Sequence, residues 1–139
     1  MYTTELAIRV RYGETDRMGF VYYGNYAEYF EVARVEALRE LGITYKQLED
    51  EGLLLPVYSY SIQFHQPAYY DDNLCIKTCI AEMPKARIHF AYKTYSEKNE
   101  CLNEASTTLV FLNANTQRPC RAPSHLLNVL TPHFKESKR

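Results

Sequence analysis

The chain has 139 residues, enough to bury roughly two-thirds of its unfolded surface, so it needs no disulfide or metal to fold. Sixteen basic residues nearly balance 17 acidic ones, and no long block of like charge occurs, so nothing suggests a nucleic-acid-binding face. No apolar run approaches the ~20 residues of a membrane span, and the start Met1-Tyr2-Thr3-Thr4-Glu5 lacks the basic and apolar regions of an export signal.

Residues 1–139 therefore read as one cytoplasmic domain without membrane insertion. Cys75, Cys79, Cys101 and Cys120 match no common metal or redox spacing and are expected to be reduced thiols. Thirteen Tyr, six Phe and no Trp suit half-buried strands and subunit contacts.

Leu6 to Tyr12 alternates apolar and basic residues, the period of a strand. Gly13, Gly19 and Gly24 then predict an ordered loop over 13–24. From Asn25 the period changes: Tyr26, Phe30, Ala33, Ala37 and Leu41 fall on one helical face, with Glu28, Glu31, Arg34, Glu36, Arg39 and Glu40 around the rest. Gly24-Asn25 reads as the N-cap and Gly42 as the stop, with a further helical turn from Thr44.

Strands follow over 57–64, 74–83, 86–94 and 101–113, separated by Pro67 with Asp71-Asp72-Asn73, by Pro84, and by the polar turn Ser96 to Glu100. Cys75 and Cys79 share one face of their strand and are expected in the core. A short strand at Arg118 to Arg121 precedes a last amphipathic turn, Ser124 to Leu130, and the tail from Lys135 to Arg139 reads as solvated. Hairpin-linked strands and one long helix imply an α+β domain, an antiparallel sheet wrapped around that helix.

Several chemistries lack their residues. There is no G-x-S-x-G, no G-x-G-x-x-G and no G-x-x-x-x-G-K. His65, His89, His125 and His133 are scattered, none beside a second ligand at metal spacing, so no metal and no cofactor are expected. Asp16 is left. It lies in a Gly-punctuated loop ahead of the long helix, beside the apolar Phe20-Val21-Tyr22-Tyr23. By position it fits a turn-capping Asp. By surroundings it equally fits a reactive carboxylate beside a helix N-terminus.

The run Y-G-E-T-D-R-M-G-F-V-Y-Y-G-N-Y, followed by Glu31-Val32-Ala33-Arg34, resembles the hotdog-fold thioesterases of the 4-hydroxybenzoyl-CoA thioesterase type, especially the Tol–Pal-associated acyl-CoA thioesterase branch. The likeness continues through Pro67 to Leu74, Asn103-Glu104-Ala105 and Arg118 to Pro123. It implies a hotdog fold, Asp16 as the catalytic carboxylate and the Tyr23 backbone N–H as oxyanion donor, with Gly24 allowing close approach of the thioester. Asp16 would act as nucleophile or as general base; the resemblance leaves both open.

Glu31 stands where hydroxybenzoyl-specific members carry an Asp that meets the substrate ring, and Arg17-Met18 replaces their Pro-Ala. These departures point to a broader acyl or aryl substrate; Glu31 also reads as a solvated helix residue. Lys85, Arg87, Arg118 and Arg121 suit the phosphates of coenzyme A, Arg121 foremost, and each also reads as an ordinary surface charge. The resemblance further implies a homo-oligomer, dimer or tetramer, acting on acyl-CoA or an acyl-carrier thioester. A hydratase would need a His near the helix start, and none precedes His65. A non-catalytic acyl-binding module is the alternative of another class.

Overall fold

In a computed structural model, residues 1–135 are described, in the order β1 (Tyr2–Arg9), a 3₁₀ turn (Tyr12–Glu14), α1 (Asn25–Arg39), α2 (Tyr45–Asp50), β2 (Leu53–Leu54), β3 (Val57–Phe64), β4 (Asn73–Ile80), β5 (Arg87–Tyr95), β6 (Cys101–Val110), β7 (Leu112–Asn113), α3 (Ser124–Leu130) and α4 (Pro132–Lys135). Past the α4 backbone, the tail lies outside the described residues. Five strands form one antiparallel sheet in the order β1-β4-β5-β6-β3, and β2 pairs with β7 in a small ribbon. No helix among the described residues is long and apolar enough to cross a membrane.

The sheet alternates because its strands do. Leu74, Ile76, Thr78 and Ile80 of β4, with Ile88, Phe90, Tyr92 and Thr94 of β5, face inward and are buried. Against them α1 buries Tyr26, Tyr29, Phe30, Ala33, Arg34, Ala37 and Leu38. Phe30 stacks on Tyr92 at 4.5 Å between ring centroids. Truncating a ring of this kind costs about 3–5 kcal/mol.

The C-terminal end of α1 is set by Gly42 at φ +86°, where Ile43 N–H reaches Leu38 O at 3.0 Å and Gly42 N–H reaches Arg39 O at 2.9 Å. Only a residue without Cβ enters that left-handed turn without strain. Thr44 caps α2 as expected, its Oγ1 accepting Gln47 N–H at 3.1 Å.

Three expectations are corrected. Arg34 is buried, 7% exposed, and donates from Nε to the Tyr45 hydroxyl at 3.2 Å; helical periodicity cannot distinguish a guanidinium with a hydroxyl to meet from a solvated one. Cys75 and Cys79 share a face, but it is the outer one, since Ile76 and Thr78 take the inward positions. Residues 118–121 form only an isolated bridge, Leu112 with Pro119. The N-cap of α1 falls at Gly24 as expected, without a side-chain cap bond, and Asn25, the first helical residue, donates from Nδ2 to Glu14 O at 2.7 Å.

Candidate active site

Between β1 and α1 the chain closes a loop that its own groups pin at several points. Glu14 is buried there. Its carboxylate accepts Arg11 N–H at 2.9 Å, Arg11 Nε at 2.9 Å, Arg11 Nη2 at 2.7 Å and the Tyr29 hydroxyl at 2.7 Å. Burial alone would raise its pKa, but the Arg11 amide, the Tyr29 hydroxyl and the Arg11 guanidinium outweigh that cost and hold it below the usual carboxylate value. Tyr29 responds oppositely: burial and the Glu14 carboxylate push its hydroxyl up. The Glu14 carbonyl also accepts Tyr22 N–H at 2.8 Å, so one residue ties the loop to the start of the helix.

Within the loop, Asp16 N–H donates to Phe20 O at 2.8 Å, Gly19 N–H returns to Asp16 O at 2.9 Å, and Gly19 takes φ +86°. Val21 N–H fixes the loop to Ala68 O at 2.8 Å. Asp16 Oδ1 accepts Met18 N–H at 2.9 Å and Phe20 N–H at 3.2 Å. Oδ1 thus serves as the turn cap, while Oδ2 has no hydrogen-bond partner among the described residues. Both readings of Asp16 find an oxygen.

Asp16 opens onto a cleft of ≈ 360 Å³. Its walls are Met18, Phe20, Val21 and Tyr23 from the loop, Tyr26 from α1, and the segment from Phe64 to Ala68 that follows β3. The lining is mainly apolar, and burial pushes the Tyr26 phenol up to about 12. At the helix start, Asn25 N–H donates to Tyr22 O at 2.9 Å and Tyr26 N–H to Tyr23 O at 3.3 Å. The Tyr23 and Gly24 N–H groups have no acceptor among the described residues, so two backbone donors remain unengaged at the helix start, and Tyr23 shares the cleft lining with Asp16. A Cβ at Gly24 would fall 2.8 Å from Cε2 of Tyr22, so any larger residue must displace that ring.

Asp16 and Tyr23 thus meet in one cleft, and Gly24 adjoins it. The other sequence-derived residues lie elsewhere. Glu31 is exposed on α1, outside the cleft lining. Lys85 and Arg87 line a separate groove at the start of β5, where the Arg87 guanidinium lies 4.3 Å from the centre of the Tyr58 ring. Arg121 is tethered nearby, since Ala122 N–H donates to Lys85 O at 2.6 Å. Arg118 is exposed after the β7 turn. β5 spans nine residues, about 27 Å, and separates these basic groups from the Asp16 end of the sheet.

Sequence reasoning missed Glu14 and His65. The spacing of Arg11 and Glu14 was a usable signal for the first. His65 lines the cleft because β3 ends beside it, which its isolated position in sequence does not reveal.

A five-stranded antiparallel sheet packed against one long helix defines a hotdog-fold domain. The thioesterase-like superfamily model matches residues 10–130, and the chain belongs to that family. It is 29% identical over 119 residues to the putative acyl-CoA thioesterase YneP of Bacillus subtilis, covering 86% of each chain. It is 30% identical over 120 residues to the acyl-CoA thioester hydrolase YbgC of Escherichia coli O157:H7, covering 86% of this chain and 90% of that one. Among solved structures, DHNA-CoA thioesterase from Staphylococcus aureus superposes with TM-score 0.83 at 31% identity, over 99% of this chain and 87% of that one.

Proposed function

We propose that this chain hydrolyses an acyl- or aryl-coenzyme A thioester to free acid and coenzyme A, with Asp16 delivering the attack and the Tyr23 amide holding the oxyanion. Thioester hydrolysis is the activity carried by the family and by the names of its relatives. The observation behind the site is the unengaged Oδ2 of Asp16 in the same cleft as Tyr23, whose amide is unengaged at the helix start.

The chemistry balances along either route. In the first, Oδ2 attacks the thioester carbonyl, the C–S bond breaks, coenzyme A leaves as thiolate and takes a proton, and water then opens the mixed anhydride. In the second, Asp16 takes a proton from water, which attacks directly, and the proton passes to the departing sulfur. Each passes through a tetrahedral oxyanion, which one aligned donor stabilises by about 3 kcal/mol. The dipole of α1 adds to the same field. Phe20, Tyr26 and Phe64 offer apolar walls for the acyl group, which favours a broad acyl or aryl range.

The phosphates need cations, and a single chain holds Lys85, Arg87 and Arg121 far from Asp16. A homo-oligomer resolves this. β3 is a free edge, and antiparallel pairing of two such edges brings the Phe64 end of one copy beside the Val57 end of the other. Arg87, stacked on Tyr58, would then approach the neighbour's Asp16 cleft. Glu31, outward on α1, becomes a substrate contact only in such an assembly, and Arg118 supplies an outlying charge. The reading includes a dimer that pairs further into a tetramer, a cytoplasmic setting, and the Tol–Pal-associated branch, which rests on the sequence motifs.

One observation favours a second reading. Asp16 Oδ1 already caps its turn, as it would in a non-catalytic acyl-binding module. Free thiol released from a panel of acyl-CoA thioesters separates the two. Asp16→Asn keeps an oxygen for the Met18 and Phe20 amides, so the loop should hold while kcat falls on the order of 10²–10⁴-fold. Hydrolysis at the wild-type rate in Asp16→Asn would refute the assignment of Asp16. Tight binding of every thioester with no hydrolysis would establish the binding module.

A further inference from the structure

We propose that His65, Cys101 and Glu104 form a binding site for a zinc-type divalent cation at the corner where β3 ends and β6 begins. The site does not rest on the hydrolase reading and uses none of its reacting groups, although His65 also lines the Asp16 cleft.

A local irregularity creates it. Residues three apart on a regular strand point to opposite faces. Between β5 and β6, however, the register jumps from Thr94↔Asn103 to Tyr95↔Cys101, which leaves Leu102 as an extra residue. Leu102 and Asn103 are accordingly both buried, and Cys101 and Glu104 are thrown to the same outer side. Bulges of this kind re-aim side chains. The Leu102 carbonyl accepts both His65 N–H at 2.8 Å and Gln66 N–H at 3.0 Å, which fixes the His65 backbone at the bulge.

The three ligand atoms lie within 4.8 Å of one another, and His65 Nε2 is 3.0 Å from Glu104 Oε2. Bonds of about 2.0–2.3 Å around a tetrahedral zinc place ligand atoms roughly 3.3–3.8 Å apart, so closure by about 1 Å completes the triangle. The side chains of His65 and Glu104 are 35% and 51% exposed, leaving room for that adjustment. The donor set also fits. Imidazole, thiolate and carboxylate are the three zinc ligand types, and the two anions balance a 2+ ion while a fourth position remains for water. Cys101 Sγ now donates to Asn103 O at 3.5 Å, and that proton would leave on binding.

The molecule contains its own control. His125 and Glu51 form a similar pair at 2.7 Å, yet no third donor joins them among the described residues. Sequence spacing concealed the site because its ligands come from two strands and one bulge.

The test titrates the full, chelator-treated chain with Co²⁺. A tetrahedral cobalt–thiolate complex should give a near-ultraviolet charge-transfer band saturating at one ion per chain, and Zn²⁺ should displace it. Cys101→Ser should abolish the band, and His65→Ala and Glu104→Gln should each weaken binding at least tenfold. Cys79→Ser and His125→Ala should leave it unchanged. Circular dichroism of each variant checks that it is folded. Absence of a saturable band, or a band that survives Cys101→Ser, overturns the proposal.

Discussion

The two margins of the sheet are finished in opposite ways. At the β1 margin the chain satisfies itself. Glu5 pairs with Lys77 at 3.8 Å, Arg9 with Asp71 at 3.7 Å, and the loop beyond is sealed by buried Glu14. At the β3 margin nothing is sealed. Val57 to Phe64 contains no charged residue, and Val57, Tyr58, Tyr60 and Phe64 stand exposed along a free edge of eight residues. Monomeric sheets usually blunt such an edge with charge or proline. The β1 side thus closes on its own charges, whereas the exposed apolar β3 edge is the one the proposed oligomer would use, and substitutions should separate the two.

The largest effect is expected on the sealed side. Glu14→Ala leaves the buried Tyr29 hydroxyl without its acceptor, at a cost of about 3 kcal/mol, or roughly 10 °C in Tm. The same carboxylate gives acid sensitivity. Its folded pKa is lowered, so its contribution is complete above about pH 4.3 and is lost as pH falls through the folded value. Thermal unfolding of wild type and Glu14→Gln should therefore converge toward acid; a constant gap would remove Glu14 as the anchor.

On the open side, Ser59→Lys with Ser61→Lys should weaken self-association at least a hundredfold, about 2.7 kcal/mol, by sedimentation. Ala7→Lys, the matching change on β1, should leave it unaltered. Equal dissociation in both variants would erase the contrast between the margins. The smallest expected effect belongs to Arg87→Ala: KM for acyl-CoA rising about tenfold with kcat nearly unchanged. A loss of thermal stability at constant KM would reduce Arg87 to its stacking on Tyr58.

Much of this arrangement was legible in the sequence where period and punctuation agree. The apolar stripe of α1, the Gly42 stop and the polar turn at Ser96 to Glu100 each follow from local residues, and together they yield the fold. The loop glycines mark the ordered segment ahead of α1 that carries Asp16. Parity was harder to read. A one-residue shift exchanges the faces of a strand, so sequence alone puts Cys75 and Cys79 inward, whereas Ile76 and Thr78 hold that side. The bulge at Leu102 was invisible for the same reason. Burial of Glu14 and Arg34 depends on partners far along the chain, Tyr29 and Tyr45, whose meeting only the folded chain reveals.

The distance between Asp16 and the Lys85–Arg87 corner has a genetic consequence. If each working centre takes its acid from one copy and its cations from another, two defective alleles need not be equally defective together. A chain lacking Asp16 and a chain lacking Arg87 would form a mixed pair in which one centre inherits both lesions and the other inherits neither. Half of the centres in such hybrids would be whole, so the two inactive or weakened parents would complement each other.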